Sequence, residues 1–410
     1  VTSLRDRAAE LDRTDPLRRF RDLFVIDDEQ VYLDGNSLGR PPRATAAAVN
    51  SAITKGWASE LVMAWDHWLD LGVETGDRLA PLIGASSGEV AVGDQTSVNL
   101  YKLAMAALAA SGRNRVLTDA GNFPSDLYIL DSVARHHGGE LVVIDEDPSP
   151  EEVASHLDDS IGLVAMTHVS YRSGAMHDGA AVTKAVRSAG ALMLWDLAHS
   201  VGAVPVDLNG WNADLAVGCT YKYLNGGPGA PGFLYVASDL QTRLRQPITG
   251  WFGHADQFSF AADFVPSDSI RRFLVGTPPI LSLTAARTGI DVSASAGIAA
   301  LRSKGTSLTG LFIEAVSEWA ADCDVDIVTP IDPQRRGSHV ALRHSAGFQI
   351  SQALRDAQVI VDFRAPDLVR FGFSALYTSH AEAVTAAETL RTILSDGSWP
   401  DYPDLRSGVT

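Results

Sequence analysis

A chain of 410 residues is long enough for two domains and a sizeable core. Its formal net charge of −17 argues against nucleic acid or any other polyanion as a partner, because phosphate binding needs clustered Lys and Arg that release counterions. A hydrophobic content of 46% against 20% charged residues is that of an ordinary globular protein, and the two cysteines, Cys219 and Cys323, fit neither a zinc spacing nor a disulfide framework, so they read as reduced thiols and no metal is expected.

Residues 1–20 are charged and helical in pattern rather than carrying an apolar secretory core. No apolar run reaches the roughly 18 residues of a membrane span, and the expectation is a cytoplasmic protein with no membrane partner. The opening helix ends near Asp15-Pro16. Residues 30–34 lead into Gly35-Asn36-Ser37-Leu38-Gly39-Arg40-Pro41-Pro42, a turn that can bring backbone amides, Asn36 and the Ser37 hydroxyl against a ligand. Residues 43–55 read as a helix, followed by Trp57, Trp65, His67 and Trp68. In a chain with 8 tryptophans that cluster suits either a wall against a flat substrate or buried helix packing.

Val90-Ala91-Val92 reads as a short strand and residues 100–110 as a helix, with Thr96 and Ser97 at its start, where unpaired N–H groups favour a phosphate or a simple cap. The chain then alternates: strands at 115–118, 140–145, 161–167 and 191–196, and helices at 124–136, 150–157 and 180–189. Continuous apolar strands between helices indicate an α/β fold whose mostly parallel sheet is covered on both faces. Ligands in such sheets bind beyond the carboxyl ends of the strands, where residues 122–126, Thr167, Asp196, His199 and Lys222 would converge. Neither a GxGxxG nor a GxxxxGK[ST] motif is present, which leaves a dinucleotide or P-loop reading without support. Residues 232–236 read as a closing strand, 245–269 as an aromatic-rich loop, and 281–301 as one long helix crossing to a smaller α+β unit. In that unit helices are expected at 308–321, 348–356 and 381–394 and strands at 339–343, 359–361 and 368–373, with a mobile tail after Gly397.

The chemistry concentrates in residues 191–229. An apolar strand delivers Asp196 to its carboxyl end, and a second apolar run, Leu215-Ala216-Val217, leads to Tyr221-Lys222 among aromatics and glycines. That is the pair a pyridoxal phosphate enzyme needs: a carboxylate to keep the pyridine nitrogen protonated and a lysine to hold the aldehyde as a Schiff base. His199 would sit on the turn above Asp196, where it could orient that carboxylate or the ring.

YLDGNSLG at residues 32–39, FPSD at 123–126, WDLAHSVGAVPVDL at 195–208, CTYKYLNGGPG at 219–229, GWFGH at 250–254 and GTPPILSL at 276–283 occur in register over nearly the whole chain. In this the chain resembles the kynureninases, pyridoxal phosphate hydrolases of fold type I in the class V aminotransferase-like family. The resemblance implies a large cofactor domain at 41–280 with a seven-stranded-type sheet, a small α+β domain at 281–410 and an N-terminal segment at 1–40 packing on the latter. It implies hydrolysis of L-kynurenine to anthranilate and L-alanine in tryptophan degradation, and a homodimer whose subunits share each site.

Carried onto this chain, it implies that Lys222 holds the cofactor, Asp196 its pyridine nitrogen and Phe123 its ring face. Thr96, Ser97, Asp126 and Tyr221 would surround the phosphate or its supporting network, and Thr167 and His199 would lie close to the ring. Trp251 and Thr277 would reach the phosphate from the partner subunit. Arg370 would clamp the substrate α-carboxylate, Asn36, Ser37 and Trp65 would contact substrate, and Tyr221 would donate a proton. Gly276-Thr277 stands where other members carry Ser-Asn, and Ser125 where they carry threonine. Gly276 has no side-chain donor for a ring hydroxyl, so plain L-kynurenine is expected as the preferred substrate and the 3-hydroxy form as a secondary one. A class V aminotransferase or a cysteine desulfurase, which needs a mobile reactive cysteine, and a catalytically silent relative are the competing readings.

Overall fold

The computed structural model describes residues 3–402, so the tail expected to be mobile lies outside the described residues beyond Tyr402. The strands are β1 (Val31–Tyr32), β2 (Val90–Val92), β3 (Arg115–Asp119), β4 (Leu141–Ile144), β5 (Ile161–Thr167), β6 (Leu192–Asp196), β7 (Leu215–Cys219) and β8 (Gly232–Val236), followed by β9 (Asp326–Ile327), β10 (His339–Arg343), β11 (Val359–Ile360), β12 (Asp362–Arg364) and β13 (Leu368–Gly372). Seven of them form one sheet in the order β2-β8-β7-β6-β5-β3-β4. There β8 runs antiparallel to both neighbours and the other pairings are parallel.

This sheet is hydrophobic on both faces because helices cover both. Along β6, Met193 and Trp195 enter one core with Val182, Leu283 and Ile290, whereas Leu194 enters the other with Leu100, Leu103 and Leu130. That alternation explains why the strands read as unbroken apolar runs and not as a period of two. A separate core forms around a four-stranded antiparallel sheet, β12-β13-β10-β9, where Phe312 packs on Phe371 and Phe373 with centroids 4.6 and 5.3 Å apart. The start of the chain joins this second unit. β1 pairs in parallel with β11, and Ala8 of the helix Leu4–Thr14 packs on Leu311 and Val384.

Three helices depart from expectation. The single helix expected at 281–301 is two, Ile280–Ala296 and Ile298–Ser317, broken at Gly297, whose φ of +78° a side chain would oppose. The helix expected at 308–321 is the end of the second one. Residues 43–55 begin as the α-helix Arg43–Ser51 but continue as a π-helix, Ala52–Glu60, that ends at Leu61 with φ +53°. Among the described residues no helix is long and apolar enough to cross a membrane, and no cluster of His, Cys, Asp and Glu could hold a metal ion.

Candidate active site

Strand order brings the predicted residues together. Thr167 ends β5, Asp196 ends β6 beside it in register, and β7 ends at Cys219, three residues before Lys222. A cavity of about 260 Å³ opens at these ends, lined among others by Asn36, Ser37, Phe123, Tyr171, Arg364 and Arg370.

At its floor, Lys222 Nζ lies 2.9 Å from His199 Nε2. His199 is buried; desolvation first, then the charge of Lys222, pushes its pKa well below the ordinary value, so the imidazole is neutral and able to accept. Its Nδ1 is buried without a hydrogen-bond partner. Asp196 is 6% exposed and accepts from the Ala198 amide at 2.8 Å. Asp126, expected around the phosphate or in its supporting network, lines the same cavity and is hydrogen-bonded to Asp196. Burial, and then the Asp196 charge, pushes Asp126 well above the carboxylate range; burial also raises Asp196, with Lys222 acting against it. Two carboxyl groups in contact in a desolvated site hold a proton between them, because both cannot ionise.

Thr96 and Ser97 open the helix Thr96–Ser111, whose cap residue Gln95 makes no side-chain hydrogen bond. Thr96 Oγ1 donates to the Gly218 carbonyl at 3.2 Å, which leaves the backbone amides and the Ser97 hydroxyl toward the cavity as the anion-binding groups of this terminus. The loop before this helix is pinned by Lys102, fully buried, whose Nζ reaches Asp94 at 2.6 Å and the Phe273 carbonyl at 2.7 Å. The Phe123 ring is 41% exposed and sits edge-on to Tyr171 with centroids 5.1 Å apart, its centroid 6.0 Å from Lys222 Nζ. The Tyr221 phenol is hydrogen-bonded to Cys219; that thiol's charge first, and burial second, raise its pKa. Thr167 donates to the Val169 carbonyl at 3.1 Å.

At the other wall, Arg370 of β13 is 1% exposed, and Asn36 is fully buried with both amide atoms unpartnered. Three predicted residues are not in this cavity. Trp65 packs on Trp68 and Phe252; Trp251 packs on Phe252, Phe258 and Phe260 and gives its indole N–H to the Gln257 carbonyl; and Thr277 is exposed. Tyr171, Arg364 and Asp362 escaped the sequence reading. Asp362 faces Arg370 only because β12 and β13 pair in that register, and no local pattern announces a cross-strand partner.

With this geometry established, comparison with known proteins decides the family. Residues 301–390 match the kynureninase C-terminal domain. A kynureninase of Burkholderia pseudomallei (strain 1106a) is 45% identical over 417 residues, covering 99% of each chain, and one of Pseudomonas fluorescens is 44% identical over 416 residues with the same coverage. The chain belongs to the kynureninase family. Solved structures show the fold this family member shares. The apo cysteine desulfurase of Thermococcus onnurineus NA1 superposes with a TM-score of 0.79 at 19% identity, covering 92% of this chain and 98% of that one. A C-DES variant with glycine covalently linked to its PLP cofactor gives 0.77 at 16% identity, covering 88% and 96%. The fold is therefore that of the fold-type I pyridoxal phosphate enzymes, with Lys222 at the carboxyl ends of the kynureninase sheet. Neither cysteine suits the desulfurase reading: Cys219 is 1% exposed, with burial raising its thiol pKa, and Cys323 ends the short helix Ala320–Cys323 packed on the core of the small sheet, outside the cavity lining.

Proposed function

We propose that this kynureninase hydrolyses L-kynurenine to anthranilate and L-alanine with pyridoxal phosphate as its cofactor. The observation that carries the reading is the pairing, across one cavity, of a lysine amine held 2.9 Å from a neutral imidazole with a buried guanidinium on the opposite wall. An α-amino acid offers an amine and a carboxylate to such a pair.

The residues fit the cofactor. A protonated pyridine nitrogen would relieve the carboxyl pair Asp126–Asp196, which no described cation contacts within ion-pair distance. The uncapped helix start at Thr96 and Ser97 suits a phosphate, and the exposed Phe123 ring suits stacking on a flat heterocycle. When bound, pyridoxal phosphate supplies an electron sink for carbon-centred charge.

The chain's own groups then have distinct tasks. Arg370 binds the α-carboxylate and Asn36 supplies amide hydrogen bonds beside it. Lys222, once the substrate amine has displaced it, removes the proton from Cα, and His199 accepts a hydrogen bond from its amine. Tyr221, whose raised pKa keeps it protonated, donates a proton to carbon. Water adds to the side-chain ketone, and the Cβ–Cγ bond breaks to release anthranilate and then alanine.

The assembly belongs to the same reading: a homodimer in which Trp251 and Thr277 complete the partner's site. Its support is the exposed apolar surface of Trp251, Phe258 and Phe260 in one loop, with Trp57, Leu61, Val62 and Met63 also exposed. Segments 1–40, 41–280 and 281–410 are proposed as N-terminal segment, large domain and small domain; the separate apolar cores of the two sheets support two units, while Leu283 and Ile290 of the helix Ile280–Ala296 pack in the core of the large sheet. Gly276 supports a preference for unsubstituted L-kynurenine. The test is kcat/KM on L-kynurenine and 3-hydroxykynurenine for the natural protein and Gly276→Ser. The account expects kynurenine to be preferred and the serine to narrow the gap, and a natural preference for the hydroxylated substrate would reject it.

A further inference from the structure

Arg370 does not stand free in the cavity wall. Its Nε donates to Asp362 Oδ1 at 2.7 Å, Nη2 donates to Asp362 Oδ2, and Nη1 donates to the Tyr171 carbonyl. These take three of the five N–H groups of the guanidinium; a fourth, on Nη2, meets only the Ser37 oxygen at 3.5 Å, so one N–H on Nη1 is free and one on Nη2 is weakly held. That is the pair a carboxylate accepts in a two-pronged bond. Asp362 itself is fully buried and is also approached by the Ser37 hydroxyl at 2.6 Å and by Arg364 Nη2 at 3.0 Å.

We infer that Asp362, steadied by Ser37, is the positioning residue that fixes Arg370 in the one orientation able to grip the substrate carboxylate. The inference rests on the reading of Arg370 as the carboxylate clamp. An arginine side chain has several rotatable bonds, and a guanidinium turned about its last one presents a different edge. Gripping the Nε side from behind removes that freedom before substrate arrives, so the ordering cost is already met on folding.

The charge balance agrees. Burial, then the Asp362 charge, raises the neighbouring Asp34 to about 7, so with Asp34 protonated Arg370 and Arg364 exceed Asp362 by one positive charge, which the substrate carboxylate neutralises. Burial opposes ionisation of Asp362, but Arg370, then Arg364 and Ser37, outweigh it and hold the carboxyl at about 2, so it stays charged throughout the working pH range. Ser37 therefore acts at one remove: its oxygen is 3.5 Å from Arg370 Nη2, the long limit for a hydrogen bond, and its proton goes to Asp362. The turn that carries Ser37 also touches the lysine loop, since the Gly39 amide donates to the Tyr221 carbonyl at 2.8 Å. One short segment thus spans from the carboxylate clamp to the residue before Lys222.

The test uses the cofactor-loaded enzyme and two probes that share ring, ketone and amine: L-kynurenine, and its decarboxylated amine. Binding is read from the change in visible absorbance of the bound cofactor. Asp362→Asn should weaken kynurenine about 30-fold or more, in line with removing one charge of a buried pair, while the decarboxylated amine changes less than about twofold. Ser37→Ala, which leaves the ion pair in place, should weaken kynurenine about 3-fold with the same selectivity, and it decides the matter if the asparagine variant does not fold. Equal weakening of both probes, or no weakening of kynurenine, would overturn the inference. Arg370→Gln separates the two ideas: if it loses kynurenine affinity while Asp362→Asn does not, only the positioning role fails, and if it leaves kynurenine affinity intact, the clamp reading itself fails.

Discussion

A neutral imidazole 2.9 Å from the Lys222 amine is worth most when the lysine must cycle between bound and free forms. His199→Phe removes that acceptor and keeps the volume; kcat should fall about 10-fold or more, with the cofactor still bound, as judged from its absorbance. Tyr221→Phe should likewise depress turnover and leave cofactor binding largely intact. Stability has its own residue-scale test at Asp119, which ends β3 just before the Phe123 loop. It is buried, one oxygen accepts from the Gly121 amide at 2.8 Å and the other has no partner; desolvation raises its pKa to about 7. The unfolded chain loses this proton near pH 4 and the folded chain keeps it to about 7. The folded state therefore binds more protons over that window, and stability contributed by this group falls as pH rises from about 4 to about 7. Asp119→Asn should match the natural protein near pH 4 and exceed it at pH 8 by up to a few kcal/mol in urea unfolding, since each tenfold change in proton affinity is worth about 1.4 kcal/mol. At this scale Asp196, Lys222 and Phe123 were legible because strand ends mark ligand sites. The Asp126–Asp196 contact and Asp362 were not, because each depends on pairing between segments far apart in the chain.

Among the elements, the start of the helix Thr96–Ser111 depends on a buried lysine. Replacing Lys102 by Met leaves Asp94 and the Phe273 carbonyl without their donor, and should cost about 3 kcal/mol of stability and weaken cofactor retention, measured by denaturant melts and by dialysis against phosphate. The turn at Gly39 has no room for a methyl group: a Cβ there would lie 2.4 Å from the Lys222 carbonyl oxygen and 2.3 Å from Asn225 Oδ1. Gly39→Ala must therefore shift the lysine loop, and kcat should suffer more than thermal stability. The strands of the large sheet were legible to within about two residues at each end, since each is a continuous apolar run between helical or turn segments. The helix at 281–301 was not. Gly297 sits among Ala, Ser and Ile that continue the helical pattern on both sides, so the break is visible only through its backbone angle. The π-helix at Ala52–Glu60 left no signal in composition either.

For the whole molecule, the cavity as one chain builds it lacks Trp65, Trp251 and Thr277, which lie elsewhere on the surface or in a separate aromatic cluster. A shared site makes a quantitative prediction. Lys222→Ala and the double variant Trp251→Ala/Thr277→Ala should each be nearly inactive, yet an equimolar mixture allowed to exchange subunits should recover about a quarter of the natural activity, since half the dimers are mixed and each mixed dimer has one intact site. No recovery after demonstrated exchange would place both residues outside the partner's site. Family membership was legible because motifs in register span nearly the whole chain.

The reaction itself is tested most directly by product stoichiometry. The cofactor-loaded enzyme is given a limiting amount of L-kynurenine, and anthranilate and L-alanine are counted at completion. The account predicts one of each per kynurenine consumed. Consumption without alanine, or with an oxo acid in its place, would contradict it.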